Sequence, residues 1–187
     1  TIGDGLFMKV IKEASELPSL GVIIPMLTGE PFCDKQIVKR IKYIRERIPW
    51  VQIQLYTNGS LLNFETIQQL KTITDFKLSV SLNGYQPETR KKLMGLDDWA
   101  HVVRVCHYMD EIKLPYRVTM VGYPEIKPEE IDSFTKSGGM AIHYQSWAGQ
   151  QYPYIRKRWT QCIRALSHMT IRYNGDANLC CFDPFGK

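Results

Sequence analysis

The sequence lacks the features that mark a membrane or secreted protein. None of its apolar runs approaches the roughly 20 residues needed to span a bilayer. The first residues, 1–5, do not begin a basic region followed by an apolar run, as a signal peptide would. We therefore expect a cytoplasmic protein with no membrane partner. The chain also has no initiator methionine, so we expect it to be a fragment of a longer protein.

The chain also lacks a strong excess of one charge. Its 24 basic and 19 acidic residues give a net charge of +5, and hydrophobic residues make up 44%, which is enough for a folded core. Dedicated nucleic-acid binders concentrate basic residues on one face, so a nucleic-acid partner is not predicted. The short basic run 156–158 keeps that activity open as a rival hypothesis, which would require a steep dependence of binding on salt.

Cysteine is scarce and unevenly placed. There are five cysteines, and Cys162, Cys180 and Cys181 all fall in the last 26 residues. A disulfide-stabilised secreted domain would have a denser and even-numbered set. The clustering instead predicts metal ligation in a reducing compartment. Cys33 and Cys106 are expected to be small buried apolar side chains.

Strand-like and helix-like periodicities alternate along the chain. Strands are predicted at 21–27, 51–57, 76–82, 115–121 and 140–147, and helices at 6–17, 37–48, 63–73, 87–111 with a break near Gly95, and after Pro128. This repetition predicts an α/β fold with a parallel sheet, either doubly wound or a barrel. A polar, aromatic linker is predicted at 150–161, followed by a β-hairpin around the turn residues 174–176.

Polar and glycine residues recur where the predicted strands end. They form the segments Thr28–Pro31, Thr57–Gly59 and Ser79–Gly84. Each Asn-Gly pair, taken alone, is explained by its preference for turns. Because ligands of parallel α/β folds bind at the carboxyl ends of the strands, the three segments together predict a binding site.

These segments resemble motifs of the radical S-adenosylmethionine (SAM) superfamily. Thr28–Pro31 is similar to its Gly-Gly-Glu-Pro segment, in which backbone and carboxylate receive the amino group of the methionine moiety. Leu55–Leu62 is similar to its Thr-Asn-Gly strand end, and Ser79–Gly84 to its Ser-Ile-Asp-Gly strand end, where the serine contacts the cofactor's carboxylate or ribose. The resemblance implies a partial (β/α)6 TIM-like barrel and SAM as cofactor. It assigns cofactor binding to Thr28, Gly29, Glu30, Asn58, Ser79, Ser81 and Asn83.

The C-terminal region resembles the start of a SPASM domain, which holds auxiliary iron–sulfur clusters. The resemblance rests on the spacing of Cys162, Gly175 and Cys180. It implies that Cys162, Cys180 and Cys181 are metal ligands, although a cluster uses four thiolates, so further ligands are expected beyond Lys187. We accordingly expect a partial radical SAM barrel at 1–149, and a linker with the start of a SPASM-like domain at 150–187.

The family's catalytic [4Fe–4S] cluster is bound by Cys-x-x-x-Cys-x-x-Cys, and that motif does not occur in the sequence. We expect the chain to begin after that loop, to lack the first barrel strand and to be inactive alone. In the intact enzyme, the resemblance implies reductive cleavage of SAM to a 5′-deoxyadenosyl radical, which abstracts hydrogen from a substrate. The implied partners are a peptide, protein or small-metabolite substrate and an electron donor such as flavodoxin or ferredoxin. No individual catalytic residue is assigned.

Two alternatives come from other functional classes. The first is a non-catalytic α/β scaffold or binding module. Alternatively, Cys162, Cys180 and Cys181 with one outside ligand would form a structural zinc site. Iron and acid-labile sulfide content distinguishes an iron–sulfur protein from a zinc protein.

Overall fold

The computed structural model describes residues 1–27, 29–122, 129, 132, 140–143 and 167–178, with the backbone alone for 121–122 and 140–143. Helices and strands alternate through most of these residues. In chain order they are α1 (Asp4–Ala14), β1 (Val22–Ile23), a single 3-10 turn (Pro31–Cys33), α2 (Ile37–Arg47), β2 (Gln52–Thr57), α3 (Phe64–Lys71), β3 (Phe76–Ser81), α4 (Pro87–Met94), α5 (Trp99–Glu111), β4 (Tyr116–Gly122), β5 (Met140–His143), β6 (Thr170–Ile171) and β7 (Ala177–Asn178).

The first five strands form one parallel sheet in the order β1-β2-β3-β4-β5. This confirms the predicted α/β fold with parallel strands. The strand order follows the chain without reversal, as in a barrel, whereas a doubly wound fold reverses direction at one point. Among the described residues β1 pairs only with β2 and β5 only with β4, so this sheet is open rather than closed.

Right-handed crossovers between successive parallel strands place the connecting helices on one face of the sheet. The burial pattern agrees with this arrangement. On β2, Ile53 and Leu55 are buried, while the alternating Gln52 and Gln54 are only half-buried. The buried residues pack against the apolar stripe of α2, which includes Ile41 and Ile44, and against residues of α3 and α5. The opposite face of the sheet is more polar.

The strand predicted at 21–27 is wrong in length, and the continuous apolar run, which suggested a buried strand, is largely exposed at its start. Only Val22–Ile23 pairs with β2, and Val22 and Ile24 are 43% and 42% exposed. These residues are exposed because β1 is at the end of the sheet and has a neighbour on one side only among the described strands. An apolar run gives no direct sign of whether a second neighbour covers it.

The helical region predicted over 87–111 is interrupted as expected. Gly95 ends α4 in the left-handed conformation, with φ of +69°, which glycine adopts without a steric penalty. The predicted hairpin is also present, since β6 and β7 pair in an antiparallel ladder around Gly175. No helix among the described residues is long and apolar enough to cross a membrane. The helix expected after Pro128 and the second half of the strand predicted at 140–147 lie largely outside the described residues.

Candidate cofactor-binding edge of the sheet

The loops that follow β1, β2 and β3 lie at the same edge of the parallel sheet. We call them the carboxyl edge: Gly29–Glu30, Asn58–Ser60 and Leu82–Gly84. Thr28, which was predicted to belong to this set, lies outside the described residues. Gly29 is exposed, and a side-chain carbon placed on it would meet no atom within 4 Å.

Glu30 joins the first two loops of the carboxyl edge. Its Oε1 accepts hydrogen bonds from the hydroxyl of Thr57 at 2.6 Å and from the backbone N–H of Phe32 at 3.3 Å. Its Oε2 accepts one from the backbone N–H of Asn58 at 2.8 Å. An ionised carboxylate has about four acceptor sites. Three are used in this way, so Glu30 is held in a fixed position with capacity for a further donor.

The turn after β2 is built by Thr57, Asn58 and Gly59. The side-chain oxygen of Asn58 accepts from the N–H of Ser60 at 2.9 Å, and the Thr57 hydroxyl accepts from the N–H of Gly59 at 3.0 Å. Gly59 has a φ of +81°, and a Cβ there would come within 2.9 Å of Val102. The sequence-based turn interpretation is therefore correct, and this turn also presents a backbone N–H to Glu30.

Ser79 and Ser81 lie on the polar face of β3, on either side of the buried Val80. The strand register aligns Ser79 with Tyr56 of β2 and with Arg117 of β4. Ser81 is aligned with Thr119, and their hydroxyl oxygens are 3.5 Å apart. The hydroxyl groups of Ser81 and Thr119 therefore form a pair at the carboxyl end of these two strands.

Asn83 is oriented differently from the two serines. It is buried, has a φ of +49°, and its side-chain amide donates to the sulfur of Met94 at 3.3 Å. The structure thus brings Glu30 and Asn58 into direct contact and places the two serines on the adjacent strand. The Asn83 amide points toward α4.

Sequence reasoning missed Arg90 and Asp98. Arg90 is fully buried, at 0% exposure, and its Nε forms an ion pair of 2.7 Å with Oδ1 of Asp98. The hydrogen bond from Arg90 holds the pKa of the Asp98 carboxyl below its ordinary value. Arg90 follows Glu88 and Thr89 and precedes two lysines on a polar helix, so the sequence gives no sign that this one basic residue is buried.

The predicted metal ligands Cys162, Cys180 and Cys181 lie outside the described residues. Within the described part of the chain, no group of three or more His, Cys, Asp and Glu side chains is arranged to hold a metal. Cys106 is buried as expected, and burial raises the pKa of its thiol to about 11. Cys33 was expected to be buried and is exposed instead; it is the last residue of the 3-10 turn, whose first residue, Pro31, is buried.

The sequence profile of the Radical SAM superfamily matches residues 7–137, a stretch that contains the whole carboxyl edge. The chain belongs to the radical SAM superfamily. The family implies an enzyme that uses SAM and a [4Fe–4S] cluster, which agrees with the resemblance found in the sequence.

Two curated relatives share this region. The GTP 3′,8-cyclase of Sulfurimonas denitrificans is 28% identical over 119 residues, which are 62% of this chain and 37% of that protein. The FeMo cofactor biosynthesis protein NifB of Methanocaldococcus jannaschii is 28% identical over 100 residues, which are 54% of this chain and 31% of that protein. The chain thus matches about a third of the length of these two relatives.

Solved structures share the fold. The enzyme anSMEcpe with bound AdoMet superimposes with a TM-score of 0.63 at 15% identity, covering 76% of this chain and 43% of that one. SuiB of Streptococcus suis bound to the precursor peptide SuiA gives 0.62 at 17% identity, covering 85% and 36%. BtrN in complex with AdoMet and 2-DOIA gives 0.62 at 15% identity, covering 98% and 62%. At this level of identity the comparison establishes the fold alone.

The described residues fit the two implied cofactors unequally. A fixed carboxylate with a free acceptor site suits the ammonium group of SAM, and the neighbouring serine hydroxyls suit its carboxylate or ribose. The described residues do not fit a [4Fe–4S] cluster, which takes four thiolates. They include only Cys33 and Cys106, one exposed and one buried.

Proposed function

We propose that this chain contributes the SAM-binding edge of a radical SAM enzyme. Its substrate is a peptide, a protein or a small metabolite. When bound beside a reduced [4Fe–4S] cluster, SAM would accept one electron, lose methionine and so supply the chemistry that removes a hydrogen atom from the substrate. The cysteines for that cluster would come from outside the described residues. This chain's own part is to bind and orient SAM and to keep water from the reaction.

The observation that carries the proposal is the environment of Glu30. Its carboxylate is half-buried and has no cationic partner within salt-bridge distance among the described residues. Its other contacts are the Thr57 hydroxyl and two backbone N–H groups. A carboxylate anchored in this way provides a negative charge at a fixed point, and the ammonium group of SAM would complete its shell.

The two serines extend the same site. Ser79 and Ser81 lie on the polar face of β3, where a ligand placed over the carboxyl edge would approach them. Their hydroxyls can donate to a carboxylate or exchange hydrogen bonds with a ribose. Gly29 leaves room for close approach to the loop after β1. We assign SAM contacts to Gly29, Glu30, Ser79 and Ser81, with Asn58 acting through its backbone on Glu30.

We further propose that residues 150–187 begin an auxiliary-cluster domain with Cys162, Cys180 and Cys181 as ligands, and that an electron donor such as flavodoxin or ferredoxin supplies electrons. The antiparallel β6–β7 hairpin agrees with the hairpin that this proposal needs. The substrate class is suggested by the structural neighbours, since SuiB binds a precursor peptide and BtrN binds 2-DOIA.

Calorimetric titration of SAM tests the assignment of Glu30. The intact protein, with the loop that binds the catalytic cluster, is reconstituted anaerobically with iron and sulfide, and wild type is compared with Glu30→Gln and with Glu46→Gln. Glu46 is an exposed residue of α2 and receives the same chemical change. A hydrogen bond to a charged group contributes about 1.5–3 kcal/mol, so Glu30→Gln should weaken binding about 10- to 100-fold. Glu46→Gln should bind as wild type does. Equal affinity of wild type and Glu30→Gln, or no binding to wild type, would contradict the proposal.

A further inference from the structure

The guanidinium of Arg90 lies between the carboxyl ends of β2 and β3. It is fully buried. One terminal nitrogen donates to the backbone oxygens of Ser81 at 3.2 Å and Leu82 at 2.6 Å. The other donates to the backbone oxygen of Asn58 at 2.9 Å. Arg90 therefore bridges two loops of the carboxyl edge that have no such bond to each other in the strand ladder, which ends at Thr57 and Val80.

The remaining donors of Arg90 fix the guanidinium plane. Nε donates to Asp98 Oδ1 at 2.7 Å, and a terminal nitrogen donates to Asp98 Oδ2 at 3.1 Å, which makes the pair bidentate. The hydroxyl of Ser60 lies at 3.4 Å. Arginine has five N–H donors in a rigid planar fork. All three of its nitrogens are engaged, and Asp98 ties them to the start of α5.

Gly84 shows how closely α4 approaches the sheet at this point. A Cβ on Gly84 would collide with the backbone nitrogen of Arg90 and lie 2.6 Å from its Cα. Such a collision would move backbone rather than a flexible side chain. Glycine is therefore required for α4 to bring Arg90 against the strand ends.

The side chain of Arg90 is fully buried, whereas that of Asp98 is 20% exposed. Removing charges from water often costs as much free energy as their attraction returns, and apolar residues of similar volume stabilise a fold equally well. Apolar residues cannot donate hydrogen bonds to three backbone carbonyl groups at once. Arg90 does so for the carbonyl groups of Asn58, Ser81 and Leu82.

We infer that Arg90 is the positioning residue of the carboxyl edge, and that it sets the distance between the Asn58 turn and the Ser81 strand end. Since Arg90 has no exposed surface, it acts through these loops and does not touch a ligand. The expected effect of Arg90 on the affinity for SAM rests on the proposed function. Its expected effect on the two loops does not depend on any ligand.

The test compares Arg90→Lys with a core variant of equal stability. Lysine keeps the positive charge but lacks the planar fork. Leu70→Ala, in the fully buried part of α3 and without hydrogen bonds to the carboxyl edge, serves as the control. Both variants lose stability. Only Arg90→Lys should also loosen the loops.

Amide hydrogen exchange measures the structural half without a ligand. The informative amides are those of Gly59, which donates to the Thr57 hydroxyl, and Leu82, which donates to the backbone oxygen of Thr119. Arg90→Lys should accelerate exchange at both by at least tenfold relative to Leu70→Ala, at conditions where the two variants have equal free energies of unfolding. Equal exchange in the two variants overturns the inference. If Arg90→Lys does not fold, Asp98→Asn takes its place, with the same direction expected and unchanged exchange again decisive.

SAM titration measures the consequence. Arg90→Lys should bind SAM at least tenfold more weakly than wild type, and Leu70→Ala within about twofold of wild type. If the intact wild-type protein does not bind SAM, the proposed function fails while the exchange result still decides the role of Arg90. If wild type binds SAM and Arg90→Lys binds equally well, the proposed function survives and the positioning role is overturned.

Discussion

Glu30 and Asn58 are 28 residues apart in the chain, yet the Glu30 carboxylate accepts a 2.8 Å hydrogen bond from the Asn58 backbone N–H. The contact joins the loop after β1 to the turn after β2. Both loops belong to segments that resemble radical SAM motifs, so two motifs that are separate in sequence form one structural unit. The stability of this unit can be tested by replacing Thr57, whose hydroxyl binds both Glu30 and the turn after β2.

Thr57→Val should destabilise the carboxyl edge more than its change in size suggests. Thr57 is 2% exposed, and its hydroxyl both donates to Glu30 and accepts from the N–H of Gly59. Valine has the same shape but leaves the buried N–H without this acceptor, which costs about 1–3 kcal/mol. Urea denaturation measures the loss. Thr72→Val is the control, because Thr72 is exposed and its hydroxyl donates to the carbonyl of Gln69. If Thr72→Val lowers the free energy of unfolding as much as Thr57→Val does, the explanation is contradicted.

Gly84→Ala should be far more damaging than Gly95→Ala. The new methyl group at 84 would collide with the backbone of Arg90, whereas at 95 it would meet no atom within 4 Å. Gly95 has a φ of +69°, so its substitution carries only the backbone penalty of about 1 kcal/mol. Free energies of unfolding for the two variants check this order. If both variants lose the same free energy of unfolding, α4 can move away from the sheet, which would contradict the close packing seen in the structure.

Strands β2 and β3 could be predicted because apolar and polar residues alternate in their sequences, as buried and exposed positions do in the structure. Ile53 and Leu55 alternate with glutamines, and Leu78 and Val80 with serines. The length of β1 could not be predicted, since it depends on which strands lie beside it. Arg90 could not be identified because its partners Asn58, Ser81 and Asp98 are brought to it only by the packing of α4 against two strand ends.

The Arg90–Asp98 pair should make stability depend on pH in a defined window. The hydrogen bond from Arg90 lowers the pKa of Asp98 below the ordinary value of 3.8, so the folded state binds this proton less readily than the unfolded state does. The stabilisation is therefore complete above the ordinary pKa and is lost as the pH falls through the lower, folded-state value. The difference in unfolding free energy between wild type and Asp98→Asn should stay constant from about pH 7 to 5 and shrink below about pH 4. A difference that is unchanged down to pH 3 would show that the pair is not formed.

The three C-terminal cysteines should account for the auxiliary metal content. After anaerobic reconstitution, we expect iron and acid-labile sulfide in the wild-type chain and their loss in a variant with Cys162, Cys180 and Cys181 replaced by serine. The matched variant replaces Cys33, which is exposed, and Cys106, which is buried. Neither is a proposed ligand, so this variant should retain the iron. Zinc without sulfide in the wild type would favour the structural zinc site instead. Equal iron in all three proteins would remove these cysteines from the assignment.

The most direct test of the SAM-binding edge is a titration of SAM into ¹⁵N-labelled, reconstituted protein, followed by amide chemical shifts. Glycines report on both edges of the sheet, since Gly29, Gly59 and Gly84 lie at its carboxyl edge and Gly21 immediately precedes β1 at the opposite edge. SAM binding at the carboxyl edge predicts saturable shifts of the first three amides and an unchanged Gly21. Shifts confined to Gly21 and its surroundings, or no shift at the carboxyl edge at saturating SAM, would contradict the account.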